Sequence, residues 1–154
     1  MKNKSLSYFI NLDKFPVDKP KSSKYQSIIK EAQEVIDFDG CYVLSSIINK
    51  ETINDMRKEA EKIESLAHYT SNKVNVYFSK DDPTYPEDHP RRFFMKRSNG
   101  FVSGDKFPEN SLIKQLYYSE ELKNFIADCL DIPIYHYADP LASLTMNVNK
   151  PGDR

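Results

Sequence analysis

The chain has 154 residues, 39% of them hydrophobic, with 22 basic and 23 acidic side chains and a formal charge of -1. That length suits one core, and charges so evenly mixed create no field to attract phosphate backbones or anionic lipid, so nucleic acid is not expected as a partner. No apolar run approaches the ~20 residues of a membrane helix, and the basic start Met1-Lys2-Asn3-Lys4 leads into no signal-peptide core, so no membrane association and a cytoplasmic location are expected.

Residues 1–21 mix Lys, Ser and Asn with breaks at Pro16 and Pro20, and carry Phe9, Ile10, Leu12 and Phe15. They read as an arm packed on the surface of a domain spanning 22–154. From Ser22 or Ser23 as N-cap, Tyr25, Ile28, Ile29, Ala32, Val35 and Ile36 recur at helical spacing and predict an amphipathic helix ending near Asp37. Asp39-Gly40 marks a turn and Cys41-Tyr42-Val43-Leu44 a short strand. Asn49 is the expected cap of a second helix, with Ile53, Met56, Ala60, Ile63 and Ala67 toward the core and Glu51 complementing its dipole. Val74 to Phe78 alternates as a strand. Residues 81–90, with three prolines and four acids, form a long loop. Phe93, Phe94 and Met95 resume a strand, and Asn99-Gly100 is a hairpin signal with Phe101 and Val102 beyond it. Helices are predicted over Glu109 to Tyr118 and, capped by Ser119, over a stretch with Leu122, Phe125, Ile126, Cys129 and Leu130 on one face, ended by Pro133. Cys41 and Cys129 are expected to be reduced, buried small hydrophobes.

Ile134 to Ala138 enters a final strand region. From Leu144 to Val148 apolar residues alternate with Ser143, Thr145, Asn147 and Asn149, the period of a half-buried strand. Lys150-Pro151-Gly152-Asp153 then suits a type II turn, after which a partner strand is due. An unpartnered strand leaves a row of open backbone groups. The sequence is therefore expected to continue past Arg154, residues 22–154 being the first part of one α+β domain whose main sheet lies downstream.

His68, His89 and His136 form no H-x-D, H-x-E or H-x-x-x-H pattern, and two scattered cysteines give no zinc motif. A nucleophile elbow, a P-loop and a dinucleotide-binding glycine pattern are also missing. Two segments carry candidate chemistry. In Asp88-His89-Pro90-Arg91-Arg92, adjacent guanidiniums beside an imidazole can hold a carboxylate, or simply pair with Asp81, Asp82, Glu87 and Asp88. In Tyr135-His136-Tyr137-Ala138-Asp139-Pro140, an acid before proline is ordinarily a turn residue and a lone His ordinarily a structural one.

Taken together, Asn75-Val76-Tyr77-Phe78, Asp88-His89-Pro90-Arg91-Arg92, Tyr137-Ala138-Asp139-Pro140-Leu141 and Asn147-Val148-Asn149-Lys150-Pro151-Gly152-Asp153 resemble, in order and spacing, the N-terminal half of the iron(II)- and 2-oxoglutarate-dependent oxygenases. The resemblance runs from Phe38 onward and is closest to the branch that hydroxylates or halogenates free amino acids. It implies helices packed on a double-stranded β-helix, a cupin-like jelly roll that is incomplete in this chain. It implies iron(II) and 2-oxoglutarate as cofactors of the longer protein, held by an H-x-D motif just past the Pro-Gly-Asp turn and a second His farther on. No catalytic residue and no metal ligand are then expected within residues 1–154, and the fragment alone should be inactive and bind neither cofactor tightly. Arg91 or Arg92 would bind the substrate carboxylate and Asp139 its amino group. Thr145 and Asn147 would either line the cofactor side of the barrel or face solvent. The alternative is a non-catalytic protein-interaction domain.

Overall fold

The computed structural model describes residues 3–151, apart from the side chain of Arg97. Among the described residues the chain is α+β, with helices α1 (Leu6–Phe9), α2 (Ser23–Asp39), α3 (Lys50–Ile63), α4 (Leu112–Tyr117) and α5 (Glu120–Leu130). Strands β1 (His68–Val74), β2 (Met95–Val102) and β3 (Met146–Val148) form one antiparallel sheet in the order β1-β2-β3.

Local chemistry explains the long helices. Ser22 is the N-cap of α2: its backbone is extended and its Oγ accepts from the Tyr25 amide at 3.2 Å. Gly40, at φ +75°, closes the helix by donating to the Ile36 carbonyl, a left-handed position that favours glycine. The buried face of Tyr25, Ile29 and Ala32 packs on Phe125 and Cys129 of α5, with the Tyr25 and Phe125 rings edge to face at 5.2 Å. The Tyr25 hydroxyl donates to Asp128, which satisfies the polar end of a side chain only 1% exposed. Ser119 caps α5 through the Leu122 amide, as its sequence position suggests.

Asn49 precedes α3 as expected, but its side chain does not cap that helix. Its Nδ2 donates instead to the carbonyls of Ser7 and Tyr8, and the Thr52 hydroxyl also donates to Tyr8. These bonds fasten the first residues of the chain to α3. The Ile10–Ile48 bridge and the bonds Asn11 N to Ile47 O and Asn49 N to Phe9 O complete the backbone pairing. Phe9, Ile10, Phe15 and Val17 can therefore enter the main core with their polar groups satisfied. Among the described residues of this segment, Phe9, Ile10, Phe15 and Val17 are part of the core, while Leu6, Tyr8 and Leu12 pack partly buried against it.

The strands depart further from the sequence reading. Cys41–Leu44 joins no ladder, and Cys41 is exposed rather than buried, while Cys129 is buried. The strand expected at Val74 to Phe78 lies earlier, at His68–Val74, and Asn75–Phe78 forms a turn. Asn99 and Gly100 make no hairpin turn. They sit inside β2, opposite Thr70 and Tyr69. At Gly100 the Tyr69 ring lies across the strand, its Cζ 2.7 Å from where a Cβ would stand, so any larger residue would have to displace that ring. Residues 134–138 form no strand, and β3 is not unpartnered: Val148, Asn147 and Met146 pair with Gly100, Phe101 and Val102. Met146, Val148 and Leu144 turn inward onto Ile63, Val102 and Phe107, the second core cluster, as the alternation implied. The turn read at Lys150-Pro151-Gly152-Asp153 falls partly outside the described residues.

Candidate functional site

The loop between β1 and β2 is built on Asn75, which is 2% exposed. Its Oδ1 accepts from the amides of Tyr77 (3.1 Å) and Ser79 (3.0 Å), and its Nδ2 donates to the Arg91 carbonyl (2.6 Å) and Ser79 Oγ (3.0 Å). One side chain thus folds the near end of the loop as an Asx turn and ties it to the far end. Phe78, at φ +52°, follows from that tight turn. At the far end Pro90 opens a short 3-10 turn, Pro90–Arg92, and His89 Nδ1 accepts from the Arg91 amide.

The two arginines have different surroundings. Arg92 Nε meets Asp81 Oδ1 at 3.0 Å, its Nη2 meets Oδ2 at 3.3 Å, and its Nη1 donates to the Tyr85 carbonyl. This is the two-point fork expected of a guanidinium and a carboxylate, and it closes the loop internally. Arg91 is exposed, with its guanidinium over the rings of Tyr77 (5.1 Å) and Tyr85 (5.5 Å). Among the described residues it makes no ion pair. His89 stacks on the other partner, Tyr85, at 4.4 Å. Asp82 is held below the ordinary carboxylate range, chiefly by hydrogen bonds from Thr84 and less by the charges of Arg91 and Arg92. Val76, Phe78 and Phe93 around this cluster are 65%, 75% and 63% exposed, which makes the loop an aromatic and apolar surface with one available guanidinium.

Asp139 lies in a separate turn before β3. Its Oδ1 accepts from the Leu141 amide at 2.8 Å and its carbonyl from Ala142 and Ser143, the behaviour of an acid that initiates a turn. It is exposed, and among the described residues no hydrogen bond or ion pair joins it to Arg91 or Arg92. Thr145 and Asn147 are exposed on the sheet face opposite the second core cluster. The register places Asn147 across from Phe101, and Phe101 across from His68, giving one cross-strand row on that open face.

A cavity of about 830 Å³ lies elsewhere, between the first described residues, the α4–α5 junction and the segment leading to β3. Lys4, Phe9, Lys114, Tyr118, Glu120 and Leu144 line it; Arg91, Arg92, Asp139, Thr145 and Asn147 do not. Among the described residues no three His, Cys, Asp or Glu side chains are gathered in an arrangement that could hold a metal ion. The sequence reading missed the roles of Asn75, Tyr77 and Tyr85. The signal for Asn75 was local, an Asn followed by Ser79 four residues later, whereas the tyrosines become a cation platform only when the two ends of the loop meet. Compared with protein-family models, with curated proteins and with solved structures, the chain finds no match.

Proposed function

We propose that the chain forms the substrate-anchoring part of an iron(II)- and 2-oxoglutarate-dependent oxygenase that hydroxylates or halogenates a small substrate, in the first place a free amino acid. Arg91 is the observation that carries this reading. Its guanidinium is backed by two tyrosine faces and has no carboxylate partner within the loop, while its neighbour Arg92 is consumed by Asp81. A cation held this way presents paired donors to an incoming carboxylate, and the rings keep water from one side of it. Asp139, exposed at the turn before β3, supplies the anionic group for the amino end. Asn147 and Thr145, on the open face of the sheet, border the cofactor side of a jelly roll whose remaining strands and iron ligands follow residue 154 in this reading. Bound iron(II) and 2-oxoglutarate would supply the oxidising chemistry. The work of these residues is to bind, orient and partly desolvate the substrate.

The test uses the protein encoded by the whole reading frame. Succinate formation from 2-oxoglutarate should depend on an added free amino acid. Arg91→Ala should raise the KM for that amino acid ten-fold or more, as expected for a charge-assisted bond worth about 1.5–3 kcal/mol, with the KM for 2-oxoglutarate unchanged. Absence of a His in the strand following residue 154, or no amino-acid-dependent succinate, overturns the reading. The exposed Val76, Phe78 and Phe93 favour a second reading, a non-catalytic surface that docks a protein partner. In that case Arg91→Ala and Phe78→Ala weaken the same complex and no turnover is found.

A further inference from the structure

The antiparallel register decides which side chains of β1 and β2 share a face. Val102 belongs to the second core cluster, and alternate positions along β2 return to its side, so Gly100, Ser98 and Lys96 continue that face away from the core. Their partners on β1 are Tyr69, Ser71 and Lys73. Past Gly100, which is buried under the Tyr69 ring, the face carries a hydroxyl pair, Ser71 opposite Ser98. The next row is an ammonium pair, Lys73 opposite Lys96.

Like charges directly opposite each other in a ladder, with Cβ atoms about 5 Å apart, repel. Both lysines are exposed, and among the described residues neither makes an ion pair. A third ammonium stands at the rim, where Lys150, just past β3, lies 4.7 Å over the Tyr69 ring. The whole chain carries a charge of -1, so this gathering of cations is local and does not follow from composition. A lysine on an exposed edge discourages pairing with a foreign strand. One lysine suffices for that, and a facing pair adds repulsion without adding protection. A local rule broken with no compensating contact in the fold marks a position kept for function.

An oxyanion placed between the two ammoniums turns their repulsion into two charge-assisted bonds. Lysine ammoniums are compact point charges on flexible stems, which suits them to phosphate, whereas the planar fork of arginine matches a carboxylate. The Ser71 hydroxyl, about 7 Å along the strand, adds a neutral donor at the edge of the same patch. We propose that Lys73 and Lys96, with Ser71 beside them, bind a phosphate group of a soluble phosphate compound. The site shares no residue with the Arg91 loop and does not depend on the oxygenase reading.

The test is a titration of the chain with sodium pyrophosphate at constant ionic strength, read by amide chemical shifts. The shifts should saturate with a Kd on the order of 1 mM and centre on residues 71–73 and 96–98. Lys73→Ala and Lys96→Ala should each weaken binding about five-fold or more, the scale of one lost charge-assisted bond. Lys30→Ala, on the exposed side of α2, should leave the affinity unchanged. Lys73→Glu should abolish binding and, without pyrophosphate, raise the melting temperature, because the facing pair then has opposite charges. Absence of saturable shifts at these residues, an unchanged affinity in Lys96→Ala, or an equal response to sodium chloride overturns the proposal. So does capture by vesicles of anionic phospholipid with no response to pyrophosphate, which would assign the cations to a lipid headgroup. If a Lys73 variant fails to fold, Lys96→Ala decides.

Discussion

Asn75→Ala should be among the most damaging single changes in the β1–β2 loop. The substitution removes four hydrogen bonds and leaves the Tyr77 and Ser79 amides and the Arg91 carbonyl without the partner that organises them. Each such bond has a net worth of about 1 kcal/mol, and more where the orphaned group stays buried. Tyr77 and Ser79 are exposed, so their amides recover water, and the expected loss is about 2–3 kcal/mol rather than the full sum of four. Asn75→Asp provides the internal comparison. It keeps the acceptor for Tyr77 and Ser79 but sets a carboxylate oxygen against the Arg91 carbonyl in a site only 2% exposed, so it should cost at least as much as Asn75→Ala. Urea unfolding measures both losses, and hydrogen exchange over residues 75–93 shows whether the damage is confined to the loop. Equal stability of Asn75→Ala and wild type, or an Asn75→Asp variant as stable as wild type, would refute the assignment of Asn75 as the tie between the loop ends.

Gly104→Ala should destabilise more than Gly100→Ala in thermal unfolding, because the added methyl meets the Pro140 and Leu144 carbonyls at 2.6 and 3.0 Å, whereas at Gly100 it meets the movable end of the Tyr69 side chain; Tyr69→Ala should relieve Gly100→Ala but not Gly104→Ala. At pH 8 a thiol reagent should label Cys41 rapidly and Cys129 only on unfolding, since Cys129 is 6% exposed and burial pushes its thiol up to about 11. Tyr8 is pushed up to about 12, first by donating its hydroxyl to Asp55 and then by burial. Its folded value exceeds its ordinary 10.0, so its contribution is complete below pH 10 and lost as pH rises toward 12; Tyr8→Phe should flatten that alkaline arm of the stability curve. Arg92→Ala should lower the melting temperature through loss of the Asp81 fork, while Arg91→Ala, which removes no ion pair among the described residues, should leave it nearly unchanged.

The parts legible in the sequence are those whose cause is local. Ser22, Gly40 and Ser119 delimit α2 and α5 through bonds to residues a few positions away, and the spacing of Tyr25, Ile29 and Ala32 names the buried face before any partner is known. The alternation of Leu144, Met146 and Val148 likewise announced which face of β3 turns inward. Strand position and pairing were another matter. His68–Val74 is polar and exposed over nearly its whole length, so no periodicity marks it, and it is a strand only because β2 supplies its ladder. Asn99-Gly100 has the composition of a turn, yet the Tyr69 ring of the neighbouring strand uses the missing side chain. The same holds in the candidate site. Two adjacent arginines are equivalent on paper, and the fold alone commits one to Asp81 and leaves the other on Tyr77 and Tyr85, because those partners lie 11 and 14 residues back along the loop for the first cation's carboxylate and the second's far ring. Helix ends and buried stripes are written in near neighbours; ladder partners, glycine contacts and the free charge are decided by residues that meet only after folding.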